Sequence, residues 1–201
     1  GMLSSMNLLK NPVKVALQKA HTNIAVLLDR GLGEIKHILV PINGKVHSRM
    51  AIRLANEISI LNNADVTILR VLPIPDKASP NEDEDTEELQ DQVFQLAEIV
   101  EEAIDRVPEN FHIKIEQAVS IQERIIYESH QNPCDLIIIG ASEEWSSKAH
   151  LFGDTEDVVA ENAPCSVLLC HRYEPMPMAW LRYQAKVIEH KYTGGRNPNK
   201  A

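Results

Sequence analysis

The chain has no excess of positive charge. Its formal net charge is −9, and acids gather in Asn81 to Glu88, NEDEDTEE. A polyanion is held by a basic face that releases counterions, so nucleic acid is excluded as a partner. Cysteine is scarce: Cys134, Cys165 and Cys170 are odd in number and lack CxxC spacing, which fits a reducing compartment and argues against a disulfide framework or a zinc site. No apolar run approaches the roughly eighteen residues that span a bilayer, and the start lacks the charged and apolar regions of a signal peptide. The chain therefore reads as soluble and cytoplasmic. The eight histidines never fall into HExxH or another metal-ligand spacing, so no metal site is expected. Ser142, Ser146 and Ser147 have no histidine nearby except His150 and no orienting group, so no enzyme is expected.

What is present is an alternation of apolar strands and amphipathic helices. At 201 residues the chain suffices for one core of roughly 100 to 150 residues with extensions. His37 to Ile42 is a continuous apolar run, the mark of a strand covered on both faces. From Ser48, the positions Ala51, Leu54, Ala55, Ile58 and Leu61 recur at helical spacing until Asn62-Asn63. Val66 to Leu72 is the second strand. Pro73, Pro75, Pro80 and the acid run read as a loop, with a long helix from near Glu87 closed by Pro108. Phe111, Ile113 and Ile115 alternate with His112, Lys114 and Glu116, a strand with a wetter face near a sheet edge. Ser120 and Glu123 form a capping box for a helix to about His130. Asp135 to Ile139 is a fourth, buried strand. A helix starts between Asp154 and Asp157, and Ser166 to Cys170 is the fifth strand.

Strands joined by helices pair in parallel, because each crossover returns the chain to the same end of the sheet. The expectation is an α/β fold: a doubly wound five-stranded parallel sheet of order 3-2-1-4-5. Ligands of such sheets bind beyond the strand C-termini where the winding reverses. Gly140 at a strand end and Gly153 at a helix start can together build an anion cradle of backbone N–H groups. Glu143 and Asp154 put carboxylates where that cradle would want none.

PING with a serine four residues after Gly44, the long second helix, and GASEEW…FGDT…NAPCSVLL together resemble the universal stress protein family over roughly Lys36 to Cys170. The resemblance implies a Rossmann-like sheet of the adenine nucleotide alpha hydrolase-like arrangement, and a homodimer commonly formed through the last strand. It also implies that members divide into those that bind ATP and those that do not. The ATP-binding pattern is Gly, two residues, Gly, nine residues, Gly, then Ser or Thr. Here Gly140 and Gly153 match, while Glu143 stands for the second Gly and Asp154 for the hydroxyl. Asn43 stands where ATP binders commonly carry an Asp for the ribose or metal. The implied pocket residues are Pro41, Ile42, Asn43, Val71, Gly140, Ala141, Glu143, Gly153, Asp154 and Thr155. Lys148 is the one cation in the loop. Beside this reading stand simpler ones: backbone geometry for Gly140 and Gly153, a helix N-cap for Asp154, a solvated turn for Glu143 and Glu144, packing for Trp145, and small hydrophobes for Cys165 and Cys170.

The ends of the chain add two features. Ala20 to Leu28, AHTNIAVLL, parallels Ala163 to Cys170, APCSVLLC, each preceded by a short helical pattern. Residues 1–34 thus form an additional N-terminal helix–strand segment, read as the closing unit of a preceding domain of the same kind with Asp29-Arg30-Gly31 as the joint, or as a simple added edge strand. Residues 35–172 are the main domain. Residues 173–201 hold a short amphipathic pattern, Trp180 to Ile188, and a polar tail expected to be disordered. Gly1 ahead of Met2 reads as a leftover of an expression tag, and the arrangement resembles cytosolic C-terminal regions of membrane transporters such as amino-acid permeases and cation/proton antiporters. The expected function is a non-catalytic regulatory module with a degenerate nucleotide pocket; the alternative is a sensor of ATP, AMP or a cyclic nucleotide.

Overall fold

A computed structural model describes residues 12–43, 46–74, 82–141 and 153–173. The elements are α1 (Pro12–Lys19), β1 (Ile24–Leu28), β2 (His37–Pro41), α2 (Val46–Asn62), β3 (Asp65–Pro73), α3 (Glu82–Ile104), β4 (Phe111–Ala118), α4 (Ile121–Gln131), β5 (Leu136–Gly140), α5 (Asp154–Asn162) and β6 (Ser166–His171). They build one sheet of order β1-β6-β5-β2-β3-β4. The five strands read from the sequence, β2 to β6, pair in parallel in the order expected. The sixth strand, β1, changes the outline: it adds to β6 in antiparallel register, Ile24↔His171 through Leu28↔Val167.

Both faces of the central strands are dry. On one side Ile38, Val40, Val66 and Ile68 meet Ala51, Ile52 and Ala55 of α2 and Leu96 and Val100 of α3, all buried. On the other, Leu39, Leu69, Ile137 and Leu169 meet Ile125 of α4 and Val159 and Ala160 of α5. Burial of such side chains on both faces is what continuous apolar strands require. β4 is an edge strand, as its alternation implied. Its polar face holds Lys114, whose Nζ donates to both carboxylate oxygens of buried Glu128 on α4 at 2.8 Å and lies 3.2 Å from Glu116. The hydrogen bond to Glu128 holds the Lys114 ammonium above the ordinary lysine range.

Local signals mark most boundaries. Ser120 caps α4 and its Oγ accepts from the Glu123 amide at 3.3 Å. Asn63 and Asp105 take left-handed backbone, φ 52° and 67°, just past the ends of α2 and α3. One boundary departs from expectation: α3 begins at Glu82, so the acid run is the first part of a helix instead of a loop. Carboxylates near a helix N-terminus are favoured by its dipole. Trp180 to Ile188 and the tail from Thr193 lie outside the described residues.

β1 is fastened by the joint that follows it. Asp29 Oδ1 accepts from the amides of Gly31 and Leu32 at 2.9 and 2.8 Å, which holds its carboxyl below the usual range. The Arg30 amide donates to Ser166 Oγ at 2.9 Å, and its guanidinium donates to the carbonyls of Ala160, Glu161 and Cys165. A cation at the open C-terminal carbonyls of a helix is doubly favoured, by hydrogen bonds and by the dipole. Ile24, Val26 and Leu28 pack inward while Ala25 and Leu27 face out. Arg30→Ala should therefore lower unfolding free energy by about 1–2 kcal/mol; a urea midpoint unchanged from wild type would show that the clamp contributes nothing.

Candidate functional site

β2 and β5 are the neighbours at which the winding of the sheet reverses. They pair over Ile38↔Leu136 and Leu39↔Ile137; beyond those residues no further β2–β5 register is seen among the described residues. A cavity of about 270 Å³ opens there, past the strand C-termini. Its floor is apolar: Leu69 and Val71 of β3, Ile139 of β5, and Ile121 and Ile125 of α4. Its rim is polar: Asn43 after β2, Ser48 of α2, and Asp154, Thr155 and Glu156 of α5.

The structure gathers Pro41, Ile42, Asn43, Val71, Gly140, Asp154 and Thr155 at this cavity, as the sequence proposed. Ala141 stands apart from its lining: it is buried, and its amide donates to the Cys170 carbonyl at 2.8 Å, extending the β5–β6 ladder instead of facing a ligand. The Ile42 amide is likewise engaged, donating to Leu69 O at 2.8 Å. Gly153 is the N-cap of α5, with φ 142° and ψ 166° and no side-chain cap bond. Asp154 is thus the first helical residue and not the cap. Glu143 and Lys148 lie outside the described residues. Among the described residues, no group of three or more His, Cys, Asp or Glu is placed to hold a metal ion.

Two rim residues were not among the proposed pocket residues: Ser48, read as part of the motif after β2, and Glu156, which the sequence reading passed over. Ser48 is buried and its Oγ donates to Asn43 Oδ1 at 3.2 Å, so the Asn43 amide oxygen is oriented by α2. Glu156 is only 5% exposed and sits in the first turn of α5. Its spacing signalled this: it precedes buried Val159 and Ala160 by three and four residues, on the same helix face. The helix N-terminus is favourable for its carboxylate, and the residue lines the cavity at the start of α5. Thr155 brings a hydroxyl to the cavity one position later than the ATP-binding pattern places it.

The Gly153 backbone lies in a region that only glycine enters without strain. Gly153→Ala should cost about 1–3 kcal/mol, seen as a lower thermal midpoint with earlier amide exchange in α5. Wild-type stability in that variant would mean that the turn has other conformations open to it.

The sequence profile described as the universal stress protein family matches residues 34–171. Among solved structures, universal stress protein UspA from Lactobacillus plantarum is similar at 24% identity and a TM-score of 0.52, over 68% of this chain and 98% of that one. A universal stress protein in complex with cAMP is similar at 15% identity and a TM-score of 0.55, over 70% and 99%. A third, from Archaeoglobus fulgidus, is similar at 15% identity and a TM-score of 0.52, over 81% of this chain and 54% of that one. No curated protein sequence matches. At these identities the structural likeness speaks for the fold; the profile match, over more than half of the sequence, shows that the chain belongs to the universal stress protein family.

Proposed function

We propose that the chain is a non-catalytic regulatory module of universal stress protein type whose nucleotide pocket is degenerate for triphosphates. The observation that carries this reading is the pair of carboxylates at the start of α5, Asp154 on the rim and Glu156 in the wall. A carboxylate about 5 Å from a phosphate charge costs on the order of 3 kcal/mol at an effective dielectric of 20, more than a hundredfold in affinity. Asn43, neutral and hydrogen-bonded to Ser48, supplies no charge to a bound Mg²⁺. The intact apolar floor is what remains of a nucleoside site.

That floor also supports a second reading, a sensor of nucleotides that carry little charge. The cAMP in one structural neighbour belongs to this charge class, and AMP is the next step up. The antiparallel pairing of β1 with β6, the kind of pairing that a two-fold axis gives to like strands, supports reading residues 12–28 as the closing helix and strand of a preceding domain of the same kind. β1 thereby covers the edge of β6, so a homodimer through the last strand has to build on β1 or displace it. A membrane transporter is the partner we propose for the module, on the resemblance to transporter cytosolic regions; among the described residues no helix is long and apolar enough to cross a membrane.

Calorimetry with adenosine, cAMP, AMP and ATP at near-physiological Mg²⁺ separates the readings. ATP should bind at least about tenfold more weakly than cAMP. Absence of binding by all four leaves the regulatory reading and removes the sensor, whereas micromolar ATP binding as tight as that of AMP removes the degenerate pocket.

A further inference from the structure

The end of the sheet opposite the cavity holds a feature that nucleotide binding does not use. β5 and β6 run in parallel with Leu136 beside Ser166, so the residues entering them, Cys134 and Cys165, arrive at the same sheet end on adjacent strands. Their sulfurs lie 3.1 Å apart. Both thiols are free and half-buried, while the third, Cys170, is buried within β6.

From this geometry we infer that Cys134 and Cys165 form a reactive dithiol, a modification site that a hydroperoxide oxidises to an intramolecular disulfide. Closing the sulfurs by about 1 Å reaches the bond length of about 2.05 Å, and the two residues already flank neighbouring strands. The two thiols differ in environment. Hydrogen bonding from Cys134 pulls the Cys165 thiol below the usual range against the effect of burial, with the Arg30 charge assisting; the Arg30 guanidinium donates to the Cys165 carbonyl at 3.3 Å. The same contact, with burial and the neighbouring Asp135 charge, pushes the Cys134 thiol up. Burial pushes Cys170 up to about 12, which takes it out of the chemistry.

Roles follow from the charges set beside the pair: the Arg30 guanidinium donates to the Cys165 carbonyl, whereas Cys134 is followed directly by the Asp135 carboxylate. The Cys165 thiolate attacks the distal oxygen of the hydroperoxide, the O–O bond breaks, and the departing alkoxide or hydroxide takes a proton. Cys165 is now a sulfenic acid. The Cys134 sulfur then attacks Cys165 Sγ; the S–S bond forms as the S–O bond breaks, and the hydroxide leaves as water with the Cys134 proton. In sum two thiols give up two electrons and two protons, and the hydroperoxide is reduced to water and an alcohol, or to two waters. An external dithiol reverses the step. The crosslink would tie the approach to β5 to the approach to β6, beside the Arg30 clamp and away from the cavity.

The test is peptide mapping of the full folded chain after brief treatment with hydrogen peroxide. The expected result is a mass lower by about 2 Da, a bond located by fragmentation between 134 and 165, free Cys170, and full reversal by dithiothreitol. The melting temperature of the oxidised form should rise by roughly 5–10 °C. In Cys134→Ser, and equally in Cys134→Ala, dimedone should label residue 165; in Cys165→Ser it should leave residue 134 unlabelled. Alkylation of both thiols after peroxide, a bond to Cys170 or between chains, direct passage to an irreversible sulfinic acid, a crosslink that lowers the melting temperature, or the reverse dimedone pattern would each overturn the inference.

Discussion

The short contact between β2 and β5 is the constraint on which the rest of the molecule depends. Asp135 fixes it at one end: its Oδ2 accepts from the amides of Lys36 and His37 at 2.8 and 2.9 Å, and its own amide donates to His37 O at 2.9 Å. Two residue pairs follow, and then the carboxyl ends of the strands hold a cavity between them. Helices that leave in opposite directions from a switch point cannot close over it, which is why ligands of doubly wound sheets bind there. The same clamp brings Cys134, next to Asp135, level with the entry to β6. A single register thus sets a cleft at one end of the sheet and a thiol pair at the other.

Charge decides what the cleft can accept. Hydrophobic burial on the floor favours a flat ring, and that attraction is independent of the phosphates it carries. On the reading proposed above, the wall at α5 has the opposite preference, because the helix start that attracts anions carries the carboxyl groups of Asp154 and Glu156. Family membership fixes the architecture, while these side chains fix the chemistry.

Much of this was legible in the sequence because apolar periodicity is physical. HILVPI, VTILRVL and DLIII read as buried strands since nothing else accommodates such runs, and Ser120 announced its helix. The pairing partner of β1 was only half legible: the likeness of IAVLL to SVLLC suggested a strand, but antiparallel addition to β6 rests on Arg30 reaching the carbonyls that end α5, a long-range contact without local signature. The start of α3 was misread because acidic composition resembles disorder when it lies outside a helix and stabilises the helix when it lies at the N-terminus. Asp154 matched a capping residue, yet the turn needs a positive φ that Gly153 provides. Glu156 was overlooked although its spacing to Val159 and Ala160 marks the inward face, since an acid among acids draws no notice.

The central claim is that carboxylates at the start of α5 select against phosphate charge. Its most direct measurement is the ATP affinity of the Asp154→Ser, Glu156→Gln double variant against that of wild type, with adenosine as the uncharged reference. The account predicts that ATP tightens by at least about tenfold while adenosine holds its affinity. Equal changes for the two ligands, or no gain for ATP in a variant that still folds, would contradict it.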